Sequence, residues 1–396
     1  MNIPKYQTIA GQSYPSGSLG KNDSRLRIQN TTVDECREYA QLLEKENFIL
    51  HTKKEISAGS RYAYNVNLFY CYYNQDTCVF IFWDASIHTV FITAEPLLSL
   101  PDASNTAKEE IFLTPTFTQL PLKGGGMSYV ARLADGRFVI VDGGEYNEDD
   151  CLRLYKFLKE TSSRKIPTVA LWIFTHSHSD HIGLATRFIV DYKDKVSVQA
   201  FGYQFPDSDK ISVSMESVEG MKKDINILER NIQSSYPKAT LYKLHTGQSY
   251  YFSGVEIEIL WTVDDTYPAN YSSFNDLSAA LRFKFAGGKT VLLLGDCMHE
   301  ACRRIAHTYG DYLKSDILQV THHGLIGGDK ELYELINPEI CFWATSKERF
   351  LGLTPNQRYQ WCLGEGGCDY NAYLRDDNIR IRQHYHFGDN ISIEMA

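Results

Sequence analysis

The segment THSHSDHIGL, residues 175–184, places three histidines and an aspartate within six positions: His176, His178, Asp180 and His181. It follows the apolar run VALWIF, so we expect it at the carboxyl end of a buried strand. Imidazoles at positions i and i+2 of an extended chain point to the same side, and the next two side chains reach a neighbouring position as the chain turns into a helix. This set of ligands suits Zn²⁺ and also accepts Mn²⁺ or Fe²⁺.

Two other polar clusters also follow apolar runs. Asp296 comes after KTVLLLG, where its two carboxylate oxygens could bridge two cations, although an aspartate here could instead cap the helix beginning MHEACRRIA. His322 and His323 follow DILQV. Neighbouring side chains on extended backbone point in opposite directions, so one of the pair should bind metal while the other faces either substrate or a hydrogen-bond acceptor behind the ligands. A polar surface loop would explain one histidine, but it does not explain three clusters at strand ends.

Composition narrows the class of protein. The formal net charge of −9 argues against general nucleic-acid binding, which relies on neutralising phosphates with basic side chains. The stretch MNIPKYQTIAGQSYPSG lacks the apolar core of a signal peptide, and the chain has no long apolar run, so the sequence predicts a cytoplasmic protein without membrane association. Its nine cysteines include no CxxC pair, which favours reduced, buried thiols.

The pattern of elements predicts two units in the 396 residues. Residues 1–110 should form a small α+β domain of unknown role, in which residues 11–30 are irregular and Thr32 and Glu35 form the capping box of a helix. Three strand-like runs after this helix predict an antiparallel meander. From residue 111 to 396, strands and helices alternate, which predicts a layered α/β structure.

Four stretches of the second unit resemble the metallo-β-lactamase superfamily over roughly residues 115–396: GMSYVARLADGRFVIVDGG, the HxHxDH block, NDLSAALRFKFAGGKTVLLLGD and THHG. The resemblance is closest to the branch that contains competence-type DNA-uptake hydrolase domains and phosphorylcholine esterases. That branch shares Asn-x-x-Ser-x-x-Leu before LLLGD, and HHG after the next strand. The resemblance implies a four-layer αββα sandwich with two divalent metal ions at one edge, zinc being expected and manganese or iron being alternatives.

The resemblance also implies how the ligands divide between the ions. His176 and His178 would hold the first ion, and Asp180 and His181 the second. Asp296 would bridge them. A bridging water would lose a proton near neutral pH and attack phosphorus or carbonyl carbon, with Asp180 orienting it.

The remaining roles follow from the same resemblance. Either His322 or His323 would complete the metal set, and the other would protonate or stabilise the leaving oxygen. Asp142 matches an aspartate that braces the ligand loop. Many members of the superfamily take another ligand from a histidine before the bridging aspartate; here only His245 precedes Asp296 after the HxHxDH block, and its position predicts a structural role. Leu325 stands where relatives commonly carry serine.

The substrate implied by the branch is a phosphodiester, either a small phosphorylated molecule or single-stranded nucleic acid, and the negative charge favours the small molecule. Carboxylic ester, thioester or lactone hydrolysis at the same site is the alternative. Two minor alternatives are a di-iron redox protein, which would want a carboxylate at position 178, and a binding protein with a vestigial metal site. Arg349 and Arg358 are candidate anion contacts, and RQHYHFGDN, with His384 and His386, resembles a closing hairpin. The oligomeric state is left open.

Overall fold

The computed structural model describes residues 3–6, 24–59, 61, 66–104, 113–205, 217–262, 273–347, 371–389 and 391–396. Its helices within these ranges are α1 (Val33–Lys45), α2 (Glu148–Thr161), α3 (Ser179–Asp191), α4 (Val218–Ser235), α5 (His299–Tyr309), α6 (Lys330–Ile336) and α7 (Ala372–Arg375). Three β-sheets accompany them. Within the same ranges, no helix is both long enough and apolar enough to span a bilayer.

The first sheet is antiparallel and lies near the amino terminus. It has the strand order β1-β5-β4-β3-β2, with β1 (Ser24–Gln29), β2 (Ile49–Ser57), β3 (Val66–Tyr73), β4 (Thr77–Asp84) and β5 (Thr89–Pro96). The predicted meander is therefore confirmed for β3, β4 and β5. The expectation that residues 11–30 are irregular is wrong for β1, which pairs with β5. The capping box of α1 is confirmed too, because the Thr32 side chain accepts from the Glu35 N–H while the Glu35 carboxylate accepts from the Thr32 N–H. Helix α1 packs on one face of this sheet.

The second sheet is mixed and contains the strand that precedes the histidine motif. Its order is β12-β11-β9-β8-β7-β6-β20, with β10 beside β9. The strands are β6 (Thr116–Gln119), β7 (Tyr129–Arg132), β8 (Phe138–Val141), β9 (Thr168–Phe174), β10 (Ser197–Val198), β11 (Ala200–Tyr203), β12 (Thr240–Lys243) and β20 (Ser392–Glu394). Helices α2, α3 and α4 cover its outer face with apolar side chains.

The third sheet carries the other two polar clusters. Its order is β13-β14-β15-β16-β17-β18-β19. The strands are β13 (Ser249–Phe252), β14 (Val255–Trp261), β15 (Ala280–Phe285), β16 (Thr290–Leu293), β17 (Ile317–Gln319), β18 (Ile340–Ser346) and β19 (Gln383–Phe387). An apolar core fills the space between the second and third sheets, and α5 and α6 pack on the outer face of the third. The four-layer αββα sandwich is confirmed.

The predicted closing hairpin at RQHYHFGDN is wrong. Strand β19, which carries His384 and His386, pairs in parallel with β18, whereas β20 pairs antiparallel with β6 in the opposite sheet. The chain crosses between the sheets here, and Met395 is buried in the core that separates them. Each strand covers an edge that would otherwise leave backbone groups unpaired, which is the physical reason for the crossing.

The amino-terminal sheet also packs against the outer face of the third sheet, through residues such as Phe69 and Phe82. The buried carboxylate of Asp84 accepts hydrogen bonds from Thr308, at 3.1 Å, and from Arg304, at 3.3 Å, both on α5. This sheet therefore touches the helix that follows Asp296. The division of the chain near residue 110 stays a prediction, since residues 105–112 lie outside the described ranges.

Candidate metal centre

The histidine motif lies where β9 ends and α3 begins. His178 is the N-cap residue of α3, with extended backbone and no capping hydrogen bond from its side chain, so its ring is not used by the helix. Asp180 and His181 occupy the first helical turn. An acidic side chain is favourable there because the helix dipole is positive at its amino end. The change from strand to helix separates the motif into two pairs of ligand-type residues.

The other two clusters lie at the ends of β16 and β17. Asp296 is not a helix cap, because the N-cap of α5 is Met298; instead its backbone N–H donates to Ser278 Oγ at 3.1 Å. The expectation of extended backbone at the histidine pair is wrong, since His322 and His323 have φ values of 48° and 56° within a tight turn. Gly324 follows at φ 81°, where a Cβ would lie 2.6 Å from the Trp343 ring. Only glycine fits this close approach.

These elements bring ligand-type atoms together in two groups. One contains Asp180, His181, Asp296 and His323, and the other contains His176, His178 and Asp296; in each group the ligand atoms lie within 4.8 Å of one another. Asp296 Oδ2 lies 3.2 Å from the Nε2 atoms of both His181 and His323, and 4.0 Å from His176 Nε2. Asp296 is therefore shared by both groups.

Hydrogen bonds fix which nitrogen each of three buried histidines presents to the centre. His181 Nδ1 donates to Asp142 Oδ2 at 2.7 Å, and His323 Nδ1 donates to the Ala344 carbonyl at 3.1 Å. Thr175 Oγ1 gives its proton to Asp142, so it accepts from His176 Nδ1 at 3.2 Å. All three rings consequently direct Nε2 inward, which is how outer hydrogen bonds orient metal-binding histidines.

The residues fit divalent cations. Three of the converging atoms, Nε2 of His181, Nε2 of His323 and Oδ1 of Asp296, are buried and make no well-directed hydrogen bond within the described part of the chain, although both Nε2 atoms lie 3.2 Å from Asp296 Oδ2. Across the second group, His176 Nε2 and His178 Nδ1 lie 3.0 Å apart. Buried polar atoms are almost always paired, so the convergence of these nitrogens and oxygens is suited to holding a cation. Imidazole and carboxylate are ligands that Zn²⁺ accepts.

Electrostatics around the shared aspartate favour positive charge. Burial opposes charge on His181, but three nearby carboxylates outweigh burial and raise its pKa well above the ordinary value. Burial is likewise outweighed at His323, whose pKa rises to about 9 beside Asp296 and Asp180. Burial and neighbouring imidazoles lower the pKa of His176 well below its ordinary value. The carboxylate side of the centre thus attracts a cation, and the His176 side offers neutral nitrogen.

The accessible side of the centre can be identified from burial. His176, His181, Asp296 and His323 are buried, whereas His178, Asp180 and His322 are only partly buried. His322 belongs to neither group; its Nδ1 donates to the Ile326 carbonyl at 2.7 Å, and its Nε2 accepts from Asn275 Nδ2 at 3.1 Å. The partly buried residues mark the side from which a substrate can approach.

Other residues singled out in the sequence lie elsewhere. His245 is buried against the amino-terminal sheet, where it stacks on Phe80 at 3.7 Å and lies 3.2 Å from Glu95, and it joins neither group. Arg349 and Arg358 lie outside the described residues. Sequence reasoning also missed three contributors to the centre: Thr175, Asn275 and Ser278. Asn275 and Ser278 belong to the motif NDLS, and its polar residues before a buried strand are the sequence pattern that could have indicated them.

The sequence profile described as the metallo-beta-lactamase superfamily matches residues 122–200, which include β7, β8, α2, β9 and the histidine motif. Residues 122–200 carry the metallo-β-lactamase pattern. The match covers less than half of the chain, and together with the αββα sandwich it supports a place in that superfamily. The match does not distinguish the branch of competence proteins and phosphorylcholine esterases from other branches of the superfamily, so the assignment to that branch stays a prediction.

Solved structures with this metallo-β-lactamase architecture resemble the chain only distantly. The metallo-β-lactamase fold protein YhfI from Bacillus subtilis is 13% identical with a TM-score of 0.40, over 71% of this chain and 99% of that one. The diiron β-hydroxylase CmlA from Streptomyces venezuelae is 12% identical with a TM-score of 0.38, over 76% and 55% of the respective chains. Human tRNase Z, short form, is 11% identical with a TM-score of 0.34, over 57% and 90%. No curated protein matches the sequence. At these similarities, nothing about the chemistry of this chain follows from the neighbours.

Proposed function

We propose that this chain is a metal-dependent hydrolase that uses two divalent cations, zinc in the first instance, to cleave phosphodiesters of small molecules. One observation carries the proposal: two groups of ligand-type residues share the buried carboxylate of Asp296. Bound there, two cations supply Lewis acidity and make a coordinated water acidic enough to act as a nucleophile near neutral pH. A dinuclear site of this kind is typical of hydrolases that act on phosphate esters.

The positions of the residues around Asp296 indicate a different role for each. His176 and His178 would hold one cation, while His181 and His323 would hold the other. Asp180 reaches His323 Nε2 at 3.1 Å from the partly exposed side of the centre, which suits it to orient the attacking water as well as to bind metal. The rigid hydrogen bonds behind the imidazoles keep the ligands in place without rearrangement during turnover.

The choice of substrate rests on the sequence. The motif NDLSAAL and the HHG turn resemble the branch that contains phosphorylcholine esterases, which supports a phosphodiester. The net charge of −9 supports a small phosphorylated molecule over a polynucleotide, because it disfavours binding to an extended array of phosphates. Carboxylic ester, thioester and lactone hydrolysis use the same nucleophile and form the second candidate class.

Turnover by the purified chain tests the substrate. Zinc-loaded and manganese-loaded protein is assayed with bis-p-nitrophenyl phosphate, p-nitrophenyl phosphorylcholine, single-stranded DNA, p-nitrophenyl acetate and a simple lactone. We expect hydrolysis of the two small phosphodiesters and its loss in Asp296→Ala, while Asp191→Ala, an exposed aspartate of α3 paired with Arg187, keeps activity. Turnover of only the acetate or the lactone would overturn the phosphodiester assignment.

A further inference from the structure

His322, which is partly buried, and Asn275, which is buried, form a hydrogen-bonded pair next to the metal ligand His323. The Ile326 carbonyl can only accept, so His322 Nδ1 carries the proton of that 2.7 Å hydrogen bond. His322 Nε2 therefore accepts from Asn275 Nδ2 at 3.1 Å. A neutral imidazole has a single N–H, and here it is already used. His322 consequently has no proton to offer a substrate in this arrangement.

The same contacts set the orientation of the Asn275 amide. Its nitrogen must face His322, which uses one of its two N–H groups and leaves the second. Its Oδ1 is buried and has no hydrogen-bond partner among the described residues. A buried polar atom without a partner destabilises the fold. A side chain held in this unfavourable orientation beside a reactive centre is a candidate for function.

The turn that carries Asn275 also connects it to the ligands. Ser273 Oγ accepts from the Asn275 backbone N–H at 3.2 Å, and the Phe274 ring packs edge-on against His178, with centroids 6.1 Å apart. Ser278, at the end of the same turn, accepts from the backbone of Asp296. One short segment thus fixes the amide relative to both groups of ligands.

We propose that Asn275 donates its second N–H, which has no partner among the described residues, to the oxygen that gains negative charge at the scissile group, and that His322 orients the amide. The proposal rests on the hydrolase function proposed above. The amide keeps its proton throughout, so no bond is made or broken by this residue. Preorganised amide donors aimed at developing negative charge are an effective source of catalysis. This assignment reverses the sequence expectation, in which the uncoordinated histidine served the leaving oxygen.

Kinetics of the zinc-loaded full chain distinguish an N–H donor at Asn275 from a proton donor at His322. The substrates are methyl p-nitrophenyl phosphate and methyl phenyl phosphate, whose leaving groups differ in basicity. We expect Asn275→Ala to lower kcat about 10²–10³-fold for both substrates with little change in KM, as for loss of an oxyanion donor. His322→Ala should lower kcat by a smaller factor than Asn275→Ala does. A proton-donating His322 would give the opposite order, with the larger loss on the phenyl ester, and that result would overturn the proposal.

Three further variants control for the integrity of the turn. Asn275→Asp has the same shape without an N–H group and should lose as much kcat as Asn275→Ala. Ser273→Ala removes the cap of the same turn but keeps the amide, so it should lower kcat less than Asn275→Ala does. Asn378→Ala alters an exposed asparagine far along the chain and should behave as the parent. Circular dichroism and zinc content establish that each variant is folded and loaded.

The outcomes separate this proposal from the proposed function. If the parent cleaves the diesters and Asn275→Ala keeps the parental kcat, the donor role is wrong and the hydrolase function stands. If the parent cleaves only p-nitrophenyl acetate, the phosphodiester assignment is wrong, and the same variants on this ester decide the donor role. A zinc-loaded parent without turnover of any of these substrates overturns both.

Discussion

His181 Nδ1 lies 2.7 Å from Asp142 Oδ2, and both side chains are buried. Asp142 also accepts from the backbone and the hydroxyl of Thr175, at 2.8 and 2.7 Å. One carboxylate at the end of β8 therefore orients His181 directly, and His176 through Thr175. The two groups of ligands depend on a residue that belongs to neither of them.

This relationship predicts that Asp142→Asn weakens metal binding. The amide can accept through only one oxygen, so the hydrogen bonds to Thr175 and His181 cannot all be kept. We expect about a 10–100-fold loss of affinity, the usual cost of removing an outer hydrogen-bond partner. Competition with a fluorescent zinc chelator measures it. Asparagine tolerates the φ of 58° at this position, so added backbone strain is avoided. Unchanged affinity would show that Asp142 does not support the ligands.

A glycine contact with Asp180 gives a second prediction. A Cβ at Gly126 would lie 1.8 Å from the Asp180 carbonyl oxygen, whereas a Cβ at Gly125 would meet nothing within 4 Å. Both glycines have positive φ, 84° and 92°, so alanine causes backbone strain of about 1 kcal/mol at either position. Only Gly126→Ala must also displace Asp180. We expect it to lower zinc affinity and turnover much more than Gly125→Ala does. Equal effects in both variants would contradict a role for this contact in placing Asp180.

The buried carboxylate of Glu258 predicts a dependence of stability on pH. It contacts Arg282 at 2.7 Å, Lys284 at 2.9 Å, and Lys54 of the amino-terminal sheet. Burial alone would raise its pKa, but these cations outweigh burial and lower the pKa to about 2 from an ordinary value of 4.5. The stabilisation, on the order of 3 kcal/mol, is therefore present above pH 4.5 and lost as pH falls towards 2.

Urea unfolding of the parent and of Glu258→Gln at several pH values between 7 and 3 tests this linkage. The glutamine variant leaves buried cations unpaired, so its free energy of unfolding should be lower than that of the parent at pH 7. The difference should shrink below pH 4.5, because the parent then loses the same interaction. Glu55→Gln, at an exposed ion pair, serves as the control. A difference that stays constant over this range would contradict the assigned pKa.

Much of the fold could be predicted from the sequence because its signals are local. The run VALWIF before THSHSDH identified a buried strand, and Thr32 with Glu35 identified a helix start, since each depends only on neighbours in the chain. The crossing of β19 and β20 to different sheets could not be predicted. It depends on which sheet edges remain open once the sandwich has formed, and no local pattern records that.

The candidate site, too, could be predicted from the sequence only in part. His176, His178, Asp180, His181, Asp296 and His323 could be named because each ligand type follows an apolar strand, although their convergence is a property of the fold. The choice between His322 and His323 could not be made. The sequence suggests extended backbone for the pair, whereas the turn at Gly324 places both residues in the left-handed region. Asn275 and His322 are far apart in sequence, so only the structure reveals their hydrogen bond.

Metal content tests the central claim most directly. Inductively coupled plasma mass spectrometry on protein dialysed against zinc should find about two ions per parent chain, as a dinuclear site requires. His176→Ala should keep the ion beside Asp180, whereas Asp296→Ala should lose both; His307→Ala, a partly exposed histidine of α5 outside both groups, should match the parent. If Asp296 is shared by two ions, the parent should hold two ions and Asp296→Ala should lose both. A parent without bound zinc, or an Asp296→Ala variant with parental metal content, would contradict it.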